Sequence, residues 1–213
     1  MSDFLCKGFI LSLEYLNSNM DSYSLTKFIH SLDFSTEKIV ALKIDSYDLL
    51  LNLNYSFIPD ILVIGYGGRM YPKSSVSVTS TLNEINELVK VGVSVIYIDA
   101  STRIRPNNQI IHEFYYNIKY NFPEIRIIGE VSTDEDIKNI SSLKFDAISL
   151  NGNYNLIDSL DSDCFNVPVI FSYSYKRILN CNHIFSRGFN NIIVSSKFFT
   201  PQYKVSEFIE NIF

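Results

Sequence analysis

Three acidic side chains stand where apolar segments of this sequence end, and they point to acid–base chemistry. Glu14, Asp99 and Glu130 each follow or close a short apolar run. A charge at the end of a buried strand is costly unless it is paired or used, and grouped carboxylates can remove and return protons. We therefore predict these three as catalytic residues. A structural ion-pair network around the rim of the fold is the alternative.

Basic and polar residues follow the same segments and predict the binding of an anionic or polyhydroxylated ligand. In residues 99–106, Asp-Ala-Ser-Thr-Arg-Ile-Arg-Pro, two arginines come directly after an acid and could hold such a ligand against it. The pair Gly67-Gly68 forms a flexible turn that could approach a phosphate, but no nucleotide-binding glycine motif is present. The predicted ligand-binding residues are Lys43, Arg69, Tyr71, Arg103, Arg105, Asn151, Ser195 and Ser196.

The elements that would position these residues are eight short, β-rich apolar runs, each followed by an amphipathic segment. Runs that are apolar on both faces are typical of parallel strands covered by helices. Their number favours an α/β fold of the compact single-domain (β/α)₈ TIM-barrel type over residues 1–213; a doubly wound open sheet is the alternative. The runs span 8–13, 38–44, 60–65, 93–99, 125–130, 145–150, 167–171 and 191–195.

Local signals mark several of the helices between the runs. Residues 82–91 carry an apolar stripe, with Ser80 or Thr81 as the predicted N-cap and Gly92 as the C-terminal stop. The segment 132–135, Ser-Thr-Asp-Glu, opens a further helix with acids in its first turn. We predict an aromatic helix from about residue 108 to residue 120, ended before Pro123.

Composition excludes several classes of function. The chain has 213 residues, of which 46% are hydrophobic, and a net charge of −5 with scattered basic residues, so we predict no nucleic-acid partner. No signal peptide or membrane span is recognisable, and the 3 cysteines have no metal-finger spacing, which predicts free thiols in a cytoplasmic protein. We predict no cofactor and no metal. The histidines fall in helix-like segments at positions His30, His112 and His183.

The middle of the chain resembles the N-acetylmannosamine-6-phosphate 2-epimerase family. Residues 65–81 read Gly-Tyr-Gly-Gly-Arg-Met-Tyr-Pro-Lys-Ser-Ser-Val-Ser-Val-Thr-Ser-Thr, similar to the family's G-I-x-K-R-D-Y-P-D-S-x-V-Y-I-T-P-T. Residues 98–106, Ile-Asp-Ala-Ser-Thr-Arg-Ile-Arg-Pro, are similar to L-D-A-T-x-R-x-R-P. Residues 130–133, Glu-Val-Ser-Thr, are similar to D-I-S-T, and Phe145-Asp146 resembles the F-D before the family's sixth strand. The resemblance covers most of residues 60–155.

This resemblance implies a (β/α)₈ barrel of bacterial amino-sugar and sialic-acid catabolism. It implies interconversion of N-acetylmannosamine 6-phosphate and N-acetylglucosamine 6-phosphate without a cofactor. The implied chemistry removes a proton at C2 and returns it to the other face, with a lysine after the third strand as acid/base and carboxylates assisting. Asp99, Arg69, Arg103 and Arg105 match the family's acid and arginines.

The sequence departs from the family at the residues that the resemblance implies for catalysis and phosphate binding. The family lysine falls on Gly68, and the glutamate after the seventh strand falls on Ser172. General acid–base groups each contribute typically ~10²–10⁴-fold, so these losses predict altered or lost C2 epimerisation. The sequence differs from the family at four further places. Glu14 stands in place of a glutamine and Lys43 in place of an arginine. Tyr173 replaces a phosphate-site glycine, and Ser195-Ser196 replaces a Gly-Ser pair.

Three hypotheses of function follow. The first is a divergent epimerase or isomerase of an amino-sugar phosphate that uses the remaining carboxylates. The second is a non-catalytic module that binds a small ligand or a protein partner, with homodimerisation as a family expectation. The third is an intact epimerase misaligned around Gly67-Gly68, with Lys73 or Lys197 as its base. Aromatic residues that could form an interaction patch are Phe114, Tyr115, Tyr116, Phe198, Phe199 and Phe208.

Overall fold

Eight parallel strands form a closed barrel in which each strand pairs with its neighbour in the chain and β8 pairs with β1. The computed structural model describes residues 7–14, 21–32, 39–52, 61–151, 165–172 and 181–195. The closed barrel confirms the predicted fold and excludes the open sheet. The strands are β1 (Gly8–Ser12), β2 (Ile39–Ile44), β3 (Leu62–Gly65), β4 (Val95–Asp99), β5 (Arg126–Val131), β6 (Ala147–Asn151), β7 (Val169–Ser172) and β8 (Asn191–Ser195).

Helices cover the outside of the barrel, and a short 3₁₀ turn at Pro106–Asn108 precedes one of them. Isoleucine, leucine and phenylalanine side chains from the outer strand faces pack against these helices in one continuous core. That arrangement explains why the strand segments are apolar on both faces. The helices are α1 (Ser22–Ser31), α2 (Tyr47–Asn52), α3 (Leu82–Lys90), α4 (Ile111–Asn121), α5 (Asp134–Ile140) and α6 (Cys181–Ser186).

Alternate residues of each strand fill the inside of the barrel, as the two-residue period of a strand requires. A second apolar cluster, separate from the helix-facing core, contains one or two inward residues from every strand. Ile64, Val95 and Ile128 belong to this inner cluster, and so do the aromatic rings of Tyr66 and Tyr97. The inner layer therefore lies beneath the side chains at the carboxyl ends of the strands and supports them.

The predicted helix caps of α3 and α5 are confirmed. Thr81 caps α3 and forms a reciprocal capping box with Glu84, and Gly92 follows the helix with a φ of 89°. Thr133 caps α5 in the same way, with Asp136 as the reciprocal partner. Each cap fixes the direction in which the loop from the preceding strand enters the helix, so these caps position the loops above β3 and β5.

The aromatic helix α4 begins later than predicted. Asn107 and Asn108 have φ values of 60° and 56°, in the left-handed region that asparagine tolerates, so the helix cannot include them. It begins at Ile111 and buries Phe114 and Tyr115 in the outer core. Of the predicted aromatic patch, only Tyr116 is exposed within the part of the chain that the structure describes; Phe198, Phe199 and Phe208 lie outside that part.

Other sequence predictions have structural outcomes. The three histidines lie in helices α1, α4 and α6, as predicted. Cys181 is buried, and burial raises the pKa of its thiol to about 12, whereas Cys6 and Cys164 lie outside the described residues. Among the described helices, none has the length and apolar character needed to cross a membrane. No cluster of metal-ligating side chains occurs in the same residues.

Candidate functional site

Polar side chains replace the apolar inner layer at the carboxyl end of the barrel, which we call the mouth. Strand alternation directs Lys43 of β2, Tyr97 of β4, Glu130 of β5 and Asn151 of β6 to the inside of the barrel. Tyr66, one residue beyond β3, joins them. Function in barrels of this kind collects at the carboxyl ends of the strands, so these five residues define the candidate site.

Both carboxylate oxygens of Glu130 are held by neighbours from adjacent strands. The Tyr97 hydroxyl lies 2.7 Å from Glu130 Oε2, and Asn151 Nδ2 donates to Oε1 at 3.0 Å. Tyr97 also lies 2.8 Å from Ser149 Oγ; because one phenol proton cannot serve both, Ser149 donates to Tyr97 when Tyr97 donates to the carboxylate. Burial and the Glu130 charge raise the pKa of Tyr97 well above its ordinary value, so the phenol stays a donor.

Lys43 is buried beside this network. Its side chain is 6% exposed, and its Nζ lies 3.9 Å from the centroid of the Tyr97 ring and 4.4 Å from that of Tyr66. Burial lowers the pKa of the Lys43 amine, and the charges of nearby carboxylates, Glu130 first, oppose that effect. The lysine and the glutamate therefore interact electrostatically, and both contact Tyr97.

The hydroxyl of Tyr66 is buried beside the Glu14 carboxylate. Burial first, and then the charges of Asp45 and Glu14 and a hydrogen bond to Glu14, raise the pKa of this phenol, so it is neutral and able to donate.

Asp99, predicted as catalytic, is fully buried and binds its own loop. One carboxylate oxygen accepts from the Ser101 main-chain N–H at 2.8 Å, and the other accepts from Arg103. Arg105, 1% exposed, lies 3.8 Å from the carboxylate and donates to the main-chain oxygen of Ser101 at 3.1 Å. Burial lowers the pKa of Arg105 to about 10, and the Asp99 charge opposes that shift. The acid and both arginines are thus engaged in shaping the β4–α4 loop.

Gly67 and Gly68, which follow β3, have opposite surroundings. A Cβ added at position 67 would lie 2.8 Å from Glu84 Cδ, whereas a Cβ at position 68 would meet nothing within 4 Å. Glu84 is buried, and its carboxylate accepts hydrogen bonds from the main-chain N–H groups of Ser80 at 2.9 Å and Thr81 at 3.1 Å. Position 68, to which the sequence resemblance assigns the family lysine, is therefore open, and position 67 is closed.

We expect Gly67→Ala to destabilise the protein by about 2 kcal/mol, because the added methyl group displaces the Glu84 carboxylate from its buried hydrogen bonds. Gly68→Ala is the matched control and should change stability by less than about 0.5 kcal/mol. Urea unfolding followed by circular dichroism measures both values. Equal stabilities of the two variants would contradict the role given to Glu84.

Two further predicted ligand-binding residues lie away from the mouth cluster. Arg69 forms an ion pair with Glu87 at 2.7 Å and lies over the Tyr47 ring, 5.3 Å from its centroid, on the side of α2 and α3. The Tyr71 hydroxyl contacts Thr81 Oγ1 at 3.2 Å and borders a cavity of about 640 Å³ between the β3–α3 and β4–α4 loops. The structure does not bring these two side chains together with Glu130.

Two of the remaining predicted residues lie at the ends of β1 and β8. Glu14 is exposed just after β1, and Ser195 is half-buried at the end of β8. Ser196 and Tyr173 lie outside the described residues, as does Lys197, whereas Lys73 is exposed in the β3–α3 loop with a φ of 62°. Of the predicted site, the structure brings Lys43, Glu130 and Asn151 into one cluster, and the Glu14 carboxylate lies close enough to act on Lys43 and Tyr66.

Sequence reasoning missed Tyr66, Tyr97 and Ser149, since each stands in or next to an apolar run and resembles a core residue. A signal was available: Tyr97 is two residues before Asp99, and Ser149 is two residues before Asn151. Residues two apart in a strand share a face. Tyr97 and Ser149 could therefore have been predicted from the sequence as inward-facing polar residues, one layer deeper in the barrel than Asp99 and Asn151.

Comparison with known proteins finds a family whose model matches most of this chain. A family model described as "Putative N-acetylmannosamine-6-phosphate epimerase" matches residues 38–212. A curated relative from Borrelia garinii subsp. bavariensis is named "Putative N-acetylmannosamine-6-phosphate 2-epimerase". It is 27% identical over 168 residues, which is 72% of this chain and 72% of the relative. Another, from Enterobacter sp. (strain 638), is 37% identical over 86 residues, covering 40% of this chain and 37% of the relative.

Solved structures agree on the fold. The N-acetylmannosamine-6-phosphate 2-epimerase from Clostridium perfringens has a TM-score of 0.76 at 20% identity, covering 93% of this chain and 90% of that one. A thiamine phosphate pyrophosphorylase from Pyrococcus furiosus has a TM-score of 0.58 at 12% identity, covering 97% and 93%. At these identities the likeness shows the barrel alone.

Proposed function

Because this chain belongs to the N-acetylmannosamine-6-phosphate epimerase family, we propose that it binds an amino-sugar phosphate at the barrel mouth and transfers a proton at C2 with Glu130. The open-chain form of such a sugar has an aldehyde at C1, which acidifies the C2 proton. A carboxylate placed against C2 can remove that proton. The reaction class is that of the family, and the acid–base group is different.

The observation that carries this proposal is the geometry around Glu130. Its carboxylate is 7% exposed, fixed at both oxygens by Tyr97 and Asn151, and located at the end of an inward-facing strand position. Fixed orientation lowers the cost of proton transfer, because a positioned base need not reorganise at the moment of reaction. The buried Tyr66 hydroxyl, beside Glu14, adds a neutral hydrogen-bond donor to the same end of the barrel.

The family's own lysine and glutamate do not support this chemistry here. Gly68 stands at the lysine position and has no proton-transferring group, and Ser172 stands at the glutamate position at the end of β7. Asp99, the retained acid, is paired with the Arg103 cation. The hydrogen-bond partners of Glu130, Tyr97 and Asn151, are neutral, and Glu130 lies inside the barrel beside Lys43, so we assign the proton transfer to Glu130.

Proton exchange tests the proposal directly. With purified protein in D₂O, we expect NMR to show deuterium at C2 of N-acetylmannosamine 6-phosphate together with formation of N-acetylglucosamine 6-phosphate. Glu130→Gln preserves the side-chain size and one hydrogen-bond-accepting oxygen but cannot take a proton, so epimer formation should fall at least ~10²-fold. An unchanged rate in this variant would remove Glu130 from the reaction.

The second candidate function is a non-catalytic ligand-binding barrel. It is favoured by the loss of the family lysine at Gly68 and by the engagement of Asp99 with its own loop. Under this hypothesis the protein binds the sugar phosphate, which isothermal titration detects, and shows no C2 exchange even at high protein concentration. Exchange above the buffer background would exclude it.

A further inference from the structure

Epimerisation at C2 needs a second proton-transfer event, and this inference rests on the proposed function of Glu130. A proton leaves one face of C2, and another must arrive at the opposite face. A single group can do both only if the intermediate turns over within the site. Two groups that approach from different walls of the mouth require no such turn.

Lys43 and Glu130 are placed on different walls. They project inward from β2 and β5, which are three strands apart in the closed order of the barrel. Tyr97 of β4 contacts both groups: Lys43 Nζ lies 3.9 Å from the centroid of its ring, and its hydroxyl lies 2.7 Å from Glu130 Oε2. One aromatic side chain therefore helps to position both the amine and the carboxylate.

Opposing influences act on the Lys43 amine, and burial is the largest of them. Burial lowers the pKa of the amine, and the carboxylates of Glu130, Glu14 and Asp45 act in the opposite direction. The rings of Tyr66 and Tyr97 favour the ammonium form through their π faces. A lysine under such opposing influences can both donate and accept a proton. An arginine, which stands at this position in the family pattern, cannot accept one at ordinary pH.

We propose that Lys43 is the second proton-transfer residue and that Lys43 and Glu130 act on opposite faces of C2 of an open-chain amino-sugar phosphate. For one epimer, the Glu130 carboxylate takes the C2 proton, the C–H electron pair forms the C1–C2 double bond, and the aldehyde oxygen gains the carbonyl pair. The Lys43 ammonium then donates a proton to the other face as the carbonyl re-forms. For the other epimer, neutral Lys43 takes the proton and protonated Glu130 returns one. No cofactor or oxidant is consumed.

Two single variants test this assignment by separating exchange from epimerisation. Lys43→Arg keeps the positive charge and restores the family's residue but removes the accepting amine, and Glu130→Gln removes the other acceptor. Starting from each pure epimer in D₂O, we expect Lys43→Arg to exchange the C2 proton of one epimer only and Glu130→Gln to exchange that of the other only. Interconversion should fall at least ~10²-fold in both variants.

The outcomes separate the two proposals. Interconversion at the wild-type rate in Lys43→Arg would show that Lys43 supplies only charge. Exchange of both epimers in Lys43→Arg and of neither in Glu130→Gln would show that Glu130 is the single base. Either result overturns the inference while the function of Glu130 stands. Lys43→Met, checked for folding by thermal unfolding, should give the same one-sided exchange if arginine does not fit between the rings. A wild-type protein that exchanges neither epimer contradicts the proposed function and this inference together.

Discussion

Gly68→Lys should raise the rate of C2 epimerisation by at least ~10²-fold, because it returns a proton-transferring group to the position where the family places its lysine. Two features make the variant feasible. A Cβ at this position meets nothing within 4 Å, and Gly68 is not among the glycines with positive φ, so an L side chain fits without strain. NMR in D₂O with N-acetylmannosamine 6-phosphate measures the gain.

Gly68→Met is the matched control, since it adds a side chain of similar length without an amine. We expect it to fold with the same melting temperature as Gly68→Lys and to epimerise at the wild-type rate. An equal gain in both variants would mean that the side chain acts by packing. A folded Gly68→Lys that binds the sugar phosphate without faster epimerisation would show that the mouth does not present C2 to position 68, contrary to the family pattern.

The barrel was predictable from sequence because its cause is local. Strands covered on both faces must be apolar at every position, so each strand leaves a run that periodicity detects. Strand ends were less certain: the run 93–99 begins before β4, since Val93 donates its main-chain N–H to Leu88 and belongs to the end of α3. The predicted start of α4 was wrong because Asn107 and Asn108 adopt left-handed φ values that no sequence pattern required.

The candidate site was predictable only in part, for a different physical reason. Charged residues at strand ends stand out against apolar runs, which identified Lys43, Asp99 and Glu130. Which partner each one has depends on how separate loops meet. The β3–α3 and β4–α4 loops are joined where Ser75 donates its main-chain N–H to the Ile104 oxygen at 2.9 Å, and this contact helps set the loop that carries Arg103 and Arg105. No spacing within either segment encodes it.

The joined loops explain why an acid retained from the family pattern contributes to stability here. Asp99 and Arg105 are both almost fully buried, and removal of one partner of a buried charge pair leaves the other charge without compensation. We therefore expect Asp99→Asn to lower the free energy of unfolding by about 3 kcal/mol. Arg103→Met is the control: the Arg103 side chain is 47% exposed, so its loss should cost about 1 kcal/mol or less. Urea unfolding measures both.

The same Asp99→Asn variant distinguishes a structural acid from a catalytic one. If Asp99 acts through the loop, C2 exchange per folded molecule falls less than about tenfold at a temperature where the variant is folded, which is below the effect of a lost acid–base group. If exchange is abolished while the free energy of unfolding is unchanged, Asp99 is the base and the role given to Glu130 is wrong. Glu130→Gln should show the reverse pattern, with a large loss of epimerisation and a small loss of stability, because the amide retains the oxygen that accepts from Tyr97.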